Sequence, residues 1–264
     1  MAETAFQTQY RDEFIAAFEH RTSDLRQTTV TEAVIKGNSA VFLVAGSNGA
    51  TAVTRGVNGM IPARADDNTQ STATLVEWHD LVRKTNFNVF ASQGNQKRLM
   101  QETTMAVINR KIDLDIIAQL DTATVDTGAA VKASIALVVK AKVILGNAYV
   151  PTTDVDNMFG VVTPSFMGYL QQTKEFASSD YVDVKLFSGQ TRRFLRWFGI
   201  NWIETPLLTG LGTSAEKCYS YHKTAIGHAF DSKGTQTPIG YDEEQDYSWA
   251  RASAYMGSKL LQNT

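Results

Sequence analysis

SQGNQKRLMQETTMAVINRKIDLDIIAQLDT, Ser92 to Thr122, decides how the rest of the chain is read. It is free of proline, has Gly94 only in its first turn, and reads as one uninterrupted helix. At about 1.5 Å per residue it would run roughly 45 Å, longer than an average globular helix. Ser92 is the expected N-cap, with a polar first turn behind it. Met105, Ile108, Ile112 and Ile116 mark one apolar stripe, and Val107, Leu114 and Ile117 mark a second. Two apolar sides predict a helix held between layers.

The segments before this helix are extended. Ala40 to Val44 is a short apolar strand, Ser47-Asn48-Gly49 is turn chemistry, and Gly56, Asn58, Gly59 and Pro62 break the pattern that follows. Arg64 to Gln70 reads as a polar loop and Thr72 to Asn88 as a long extended run through Trp78 and Phe87. A hairpin this long with so thin a core is marginal alone and needs another surface to lie on. Upstream, Phe6, Tyr10, Phe14 and Phe18 recur every four residues, the pattern of a short amphipathic helix. Such a stripe either folds back on its own core or docks on a neighbouring subunit.

After the helix, Ala129 to Leu145 reads as a second helix ended by Gly146-Asn147, with Asp126 or Thr127 as its cap. Phe159 to Val162 is a buried-type strand, and Pro164 opens a helix running to about Lys174. Ala177 to Gly189 is a polar loop, and Phe194 to Ile203 a strand pair around Gly199. Pro206 to Ser214 is a glycine-rich turn, Glu216 to Asp231 is extended, and Tyr241 to Leu261 is a final long segment.

Composition narrows the function. Twenty-five basic and 27 acidic residues leave a net charge of −2, so no global basic field grips nucleic acid and any DNA contact is local and unspecific. One cysteine, Cys218, excludes an internal disulfide framework and suits a reducing compartment. The start of the chain lacks an apolar signal core, and no apolar run reaches about 18 residues, which predicts a soluble protein with no membrane partner.

Motifs for chemistry are nearly silent. Asp126-Thr127-Gly128-Ala129 spells the aspartic-protease signature, but that reaction needs two carboxylates sharing a proton and the motif occurs once. Gly210 to Ala215 matches a loose dinucleotide fingerprint, yet an extended run follows where a helix N-terminus must hold the pyrophosphate. Cys218, His222 and His228 fit no metal-ligand spacing. Asp242 to Asp246 is an acidic cluster and Arg192-Arg193 with Arg196 a basic one. Both read as solvated faces, with intersubunit ion pairs as the alternative. The expectation is a protein that is no enzyme and uses no cofactor or metal.

The order of elements is a terminal arm, a long hairpin, a very long helix, a compact α/β region and a return segment. It resembles the major capsid proteins of tailed bacteriophages with the Hong Kong 97-type fold. Phe159-Gly160-Val161-Val162-Thr163-Pro164-Ser165-Phe166-Met167-Gly168-Tyr169-Leu170 looks like the strand-Pro-helix unit of that family's axial domain. Phe198 to Ile203 looks like its next strand, and Tyr241 to Arg251 like the closing strand of the peripheral domain. QGNQKRLMQETTMAVINRKID, KCYSYHKTAIGHA and GYDEEQDYSWAR are similar to one group of phage coat sequences.

The resemblance implies an α+β fold divided into an N-terminal arm (1–30), an extended β-hairpin loop (31–88), a peripheral domain with the spine helix (89–128 and 232–264) and an axial domain (129–231). It implies a shell subunit that assembles through hexamers and pentamers into an icosahedral head around double-stranded DNA, in the bacterial host cytoplasm. Scaffolding, portal and decoration proteins are the further partners. The chain begins almost directly with the arm, which points to a separate scaffolding protein or none, and it ends where relatives carry a final strand. Phe14, Phe18, Trp78 and Phe87 are the expected intersubunit anchors, because large aromatics dominate interface energies. Arg64, near the hairpin tip, is expected to pair with an acidic residue of another subunit. Competing readings are a tail-tube or other structural virion protein, and a soluble α/β enzyme using 210–215 as a ligand loop.

Overall fold

The computed structural model describes residues 22–34, 36–47, 49–91, 95–174 and 195–263. The arm that carries Phe14 and Phe18, the Ser92 cap, the 177–189 loop and the Arg192-Arg193 pair lie outside these residues. Strands are β1 Val30–Val34, β2 Ser39–Gly46, β3 Asp67–Thr74, β4 Val76–Thr85, β5 Met158–Val162, β6 Leu195–Trp197, β7 Ile200–Glu204, β8 Tyr219–His222, β9 Ile226–Asp231, β10 Ile239–Asp242 and β11 Tyr247–Leu260. Helices are α1 Asn86–Ala91, α2 Gln96–Leu120, α3 Ile135–Asn147 and α4 Pro164–Gln171.

β11 is the axis of the first sheet. Tyr247 to Met256 pair antiparallel with β4 on one edge, while β9 and β10 follow each other along the opposite edge. β1 adds parallel to β9. Ala250, Ala252, Ala254 and Met256 alternate onto the inner face and are buried. Three alanines there let α2 lie close against the strand.

The predicted spine helix is present but starts later. Asn95, not Ser92, is the N-cap, its side chain accepting from the Arg98 N–H at 3.1 Å. Met100, Thr104, Ile108, Ile112, Ile116 and Leu120, spaced by four, are buried together with Ile117. The expected burial on two sides does not occur within this subunit. Met105, Val107 and Leu114 stay exposed, because the described chain packs on the stripe that runs from Met100 to Leu120, chiefly through β11 and β4.

The second sheet runs β6-β7-β5-β8, with β5 parallel to β7 and fully buried. Phe159, Val161, Ile203 and Tyr221 close one core with α2 and the first sheet, while Val162, Trp197, Ile200 and Trp202 close a second core under α3 and α4. α4 begins as the sequence predicts, with the Thr163 hydroxyl accepting from the Phe166 N–H at 3.2 Å and Pro164 in the first turn. α3 does not begin at Ala129. Ser134 caps it, 129–134 carry no helix, and Asp126 instead accepts from the Gly128 N–H in a local turn.

β2 and β3 form a separate two-stranded ribbon from Ser39↔Thr74 to Gly46↔Asp67. The expected run from Thr72 to Asn88 breaks at Leu75, where the chain leaves the ribbon and enters the main sheet as β4, and Asn86 then opens α1. Phe42 anchors the ribbon base against Ala229. Gly227 makes this possible, since a Cβ there would stand 2.8 Å from the Phe42 ring. The 231/232 boundary expected from the sequence falls inside a hydrogen-bonded unit, because β9 pairs with β11.

Candidate assembly surfaces

The arm enters the fold through a buried carboxylate. Asp113 sits in phase with the buried face of α2 and is 1% exposed. It accepts from the Ser23 hydroxyl at 2.5 Å and from the Asp24 and Leu25 N–H groups at 3.2 Å each. Charge-assisted bonds to backbone donors are strong in such a setting. Thr28 continues the anchor, 2.6 Å from the Tyr221 hydroxyl. The sequence carries one signal of this, an aspartate beside Ile112 in an otherwise apolar stripe.

Asp121 ties the end of α2 to the loop before β8. It accepts from Thr209 at 2.6 Å, from Lys217 at 3.2 Å and from the Tyr219 hydroxyl. Burial opposes its ionisation, but bonds from Thr209, Tyr219 and Lys217 outweigh that and hold its carboxyl below the ordinary value. Burial first, then the bond to Asp121, pushes the Tyr219 phenol up.

The ribbon ends in an exposed loop that runs over residues 49–66, where Val53, Val57, Met60 and Ile61 face solvent. Arg64 lies in it and bonds Asp66 of its own chain at 3.1 Å, with both side chains mostly exposed. Phe87 in α1 is 73% exposed, and Phe90 beside it is exposed too. Trp78 is placed differently: half-buried, it packs on the core of its own subunit, with the Lys111 ammonium 3.8 Å from its ring centroid. The structure thus leaves Phe87 and Arg64 on open surface and gives Trp78 an internal role.

No ligand chemistry assembles among the described residues. Gly210 to Ala215 is a turn whose Gly212 N–H donates to the Glu216 carboxylate at 2.8 Å, and it leads into β8 and not into a helix. His222 bonds Thr224, while His228 is fully buried on β9. Asp242 caps the hairpin turn between β10 and β11 by accepting from the Glu244 and Gln245 N–H groups. A shallow groove of about 250 Å³ beside Gln101, Glu102, Met105 and Thr237 is below the usual size of a small-molecule pocket, roughly 300–1,000 Å³. No helix among the described residues is long and apolar enough to cross a membrane.

Solved structures share this fold along the whole chain. A chain from Mycobacterium phage Che8 superposes with a TM-score of 0.75 at 15% identity, covering 100% of this chain and 96% of its own. A capsid chain of a native GTA particle gives 0.70 at 13% identity, covering 98% and 92%. The capsid of Cyanophage P-SCSP1u gives 0.67 at 13% identity, covering 98% and 90%. No curated protein sequence matches the chain. A family profile described as phage capsid protein matches residues 2–264. The Hong Kong 97-type shell fold and that match over residues 2–264 agree: the chain belongs to the phage capsid protein family and is a structural component of the phage head.

Proposed function

We propose that this chain is the repeating subunit of an icosahedral head, assembling through hexamers and pentamers in the host cytoplasm around double-stranded DNA. The observation that carries this is the β2–β3 ribbon. It extends away from both cores, and its tip exposes Val53, Val57, Met60 and Ile61, which the described part of its own chain leaves uncovered. Apolar surface of that kind marks an interaction site. Many repeated contacts of modest area then give a closed shell its stability.

In this reading α2 and the first sheet form the peripheral domain, the β6-β7-β5-β8 sheet with α3 and α4 forms the axial domain, and residues 39–74 are the extended loop. Phe14, Phe18 and Phe87 anchor neighbours, and Trp78 supports the wall behind them. Arg64 exchanges Asp66 for an acidic group of a neighbouring subunit. DNA is touched without sequence preference, through local basic groups such as Lys97-Arg98. Scaffolding, portal and decoration proteins complete the particle.

Removing residues 50–63 tests the reading. The full chain should sediment as large particles of one size, while the shortened chain keeps its helical signal and stays as small oligomers. Equal particle yield from both chains would overturn the role of the ribbon, and uniform tubes would favour a tail protein.

A further inference from the structure

β4 is a ten-residue strand with only one edge in use among the described residues. The Asn86 N–H donates to the Asp246 carbonyl at 3.1 Å, which fixes the phase of the ladder. With the register unbroken from Thr85↔Tyr247 to Val76↔Met256, the even-numbered residues of β4 bond to β11. Glu77, His79, Leu81, Arg83 and Thr85 therefore aim their N–H and C=O groups away from the sheet, and all five are exposed. Inner-face neighbours on β11 are buried, yet Trp78, Asp80, Val82 and Lys84 of β4 are only half-buried, as befits a strand open on one flank.

A long open edge is a template for another strand. The side chains along this one specify which strand. Acidic groups, Glu77 and Asp80, occupy its first half and basic groups, Arg83 and Lys84, its second. A strand with that polarity complements a copy of itself running antiparallel. Centring the pairing on Leu81 puts that side chain, 45% exposed, opposite its own copy on a twofold axis. Glu77 then lies diagonal to the copy's Arg83, and Asp80 diagonal to its Lys84, at about 7–8 Å between backbones and within reach of these long side chains. Two further exposed apolar groups fall into place at the ribbon ends: Val76, 49% exposed, comes beside Phe87 of the other copy as that chain turns into α1.

We propose that β4 pairs antiparallel with β4 of a second copy across a twofold axis at Leu81, joining two five-stranded sheets into one continuous ten-stranded sheet between subunits. This rests on the shell reading above and names one of its contacts. The backbone supplies the affinity of the pairing, and the separation of acidic from basic groups along the strand supplies its register. The same edge of β4 serves both copies, so the contact closes on itself and does not propagate.

Leu81→Cys in a Cys218→Ser background tests it in assembled particles. Directly opposite residues in a hydrogen-bonded antiparallel pair have Cα atoms about 5.5 Å apart, inside the range a disulfide spans. Mild oxidation should convert the chain to a disulfide-linked dimer on a denaturing gel. Arg251→Cys, exposed on β11, should give none, since its copies would stand three strand spacings apart, about 14 Å. Glu77→Arg alone should lower particle yield, and Glu77→Arg with Arg83→Glu should restore it, because the swap re-forms both pairs. Particles that form normally with no linked Leu81→Cys dimer overturn the pairing and leave the shell reading intact. Failure of the unaltered chain to form particles under any condition overturns both.

Discussion

Acidification should loosen this fold through His228. The imidazole is fully buried between β9 and β11, with Nδ1 2.9 Å from the Ser258 hydroxyl, which in turn donates to Asp115 at 2.6 Å. Nε2 is buried with no hydrogen-bond partner among the described residues. Burial, and then the positive charge of Arg26, depress its pKa from 6.5 to about 4. Above about pH 6.5 the ring is neutral in both the folded and unfolded chain, and its contribution to stability is complete. As the pH falls below that, the unfolded chain takes up a proton that the folded chain refuses, so stability drops until the folded ring titrates near pH 4. At about 1.36 kcal/mol per pH unit the loss approaches roughly 3 kcal/mol per subunit. Asp121, held low, loses its contribution only below the ordinary carboxylate value, and Asp80, raised by burial, gains slightly at the acid end. Urea unfolding of the subunit between pH 7 and 4.5, followed by tryptophan fluorescence, reads the slope. His228→Gln keeps a hydrogen-bonding group beside Ser258 but cannot titrate, so its stability should stay flat across this window. Equal slopes for the two proteins would refute the reasoning.

Other perturbations test other joints of the structure. Asp113→Ala removes the acceptor of the buried Leu25 N–H, and should cost about 3 kcal/mol in urea unfolding while opening residues 22–29 to protease. Gly227→Ala presses a methyl group into the Phe42 ring and should cost about 1–3 kcal/mol, with Phe42→Leu in the same chain recovering part of it. Phe14→Ala with Phe18→Ala should lower particle yield and leave the subunit's own unfolding unchanged. Arg64→Ala should make particles fall apart at lower salt than the unaltered chain.

The fold was legible in the sequence wherever a local signal and burial coincide. The spine helix shows its period of four at Ile108, Ile112 and Ile116, and the Thr163-Pro164 start of α4 is a cap and a fixed φ side by side. The Phe198-Gly199 turn was readable too: both residues take positive φ, as a two-residue hairpin requires. Misplaced boundaries have a common cause. Apolar residues at 129–134 look helical, but Ser134 offers a better cap, so the helix waits for it. Met105, Val107 and Leu114 look like core because hydrophobicity does not say which subunit covers a face. Pairings between distant segments, such as β9 with β11 or Asp113 with Leu25, have no local signature at all. They are set by which surfaces remain to be covered once the helix has packed. The same gap left Trp78 and Phe87 looking alike in sequence, although one lies on the core and the other in solvent.

Cryo-electron microscopy of particles made from the unaltered chain shows whether this subunit closes a shell. Closed icosahedral shells are expected, with rings of five and six built from this chain and the β2–β3 ribbon of each subunit lying across a neighbour. A monodisperse monomer or small oligomer in the presence of its partners, or open tubes of uniform diameter, would contradict it.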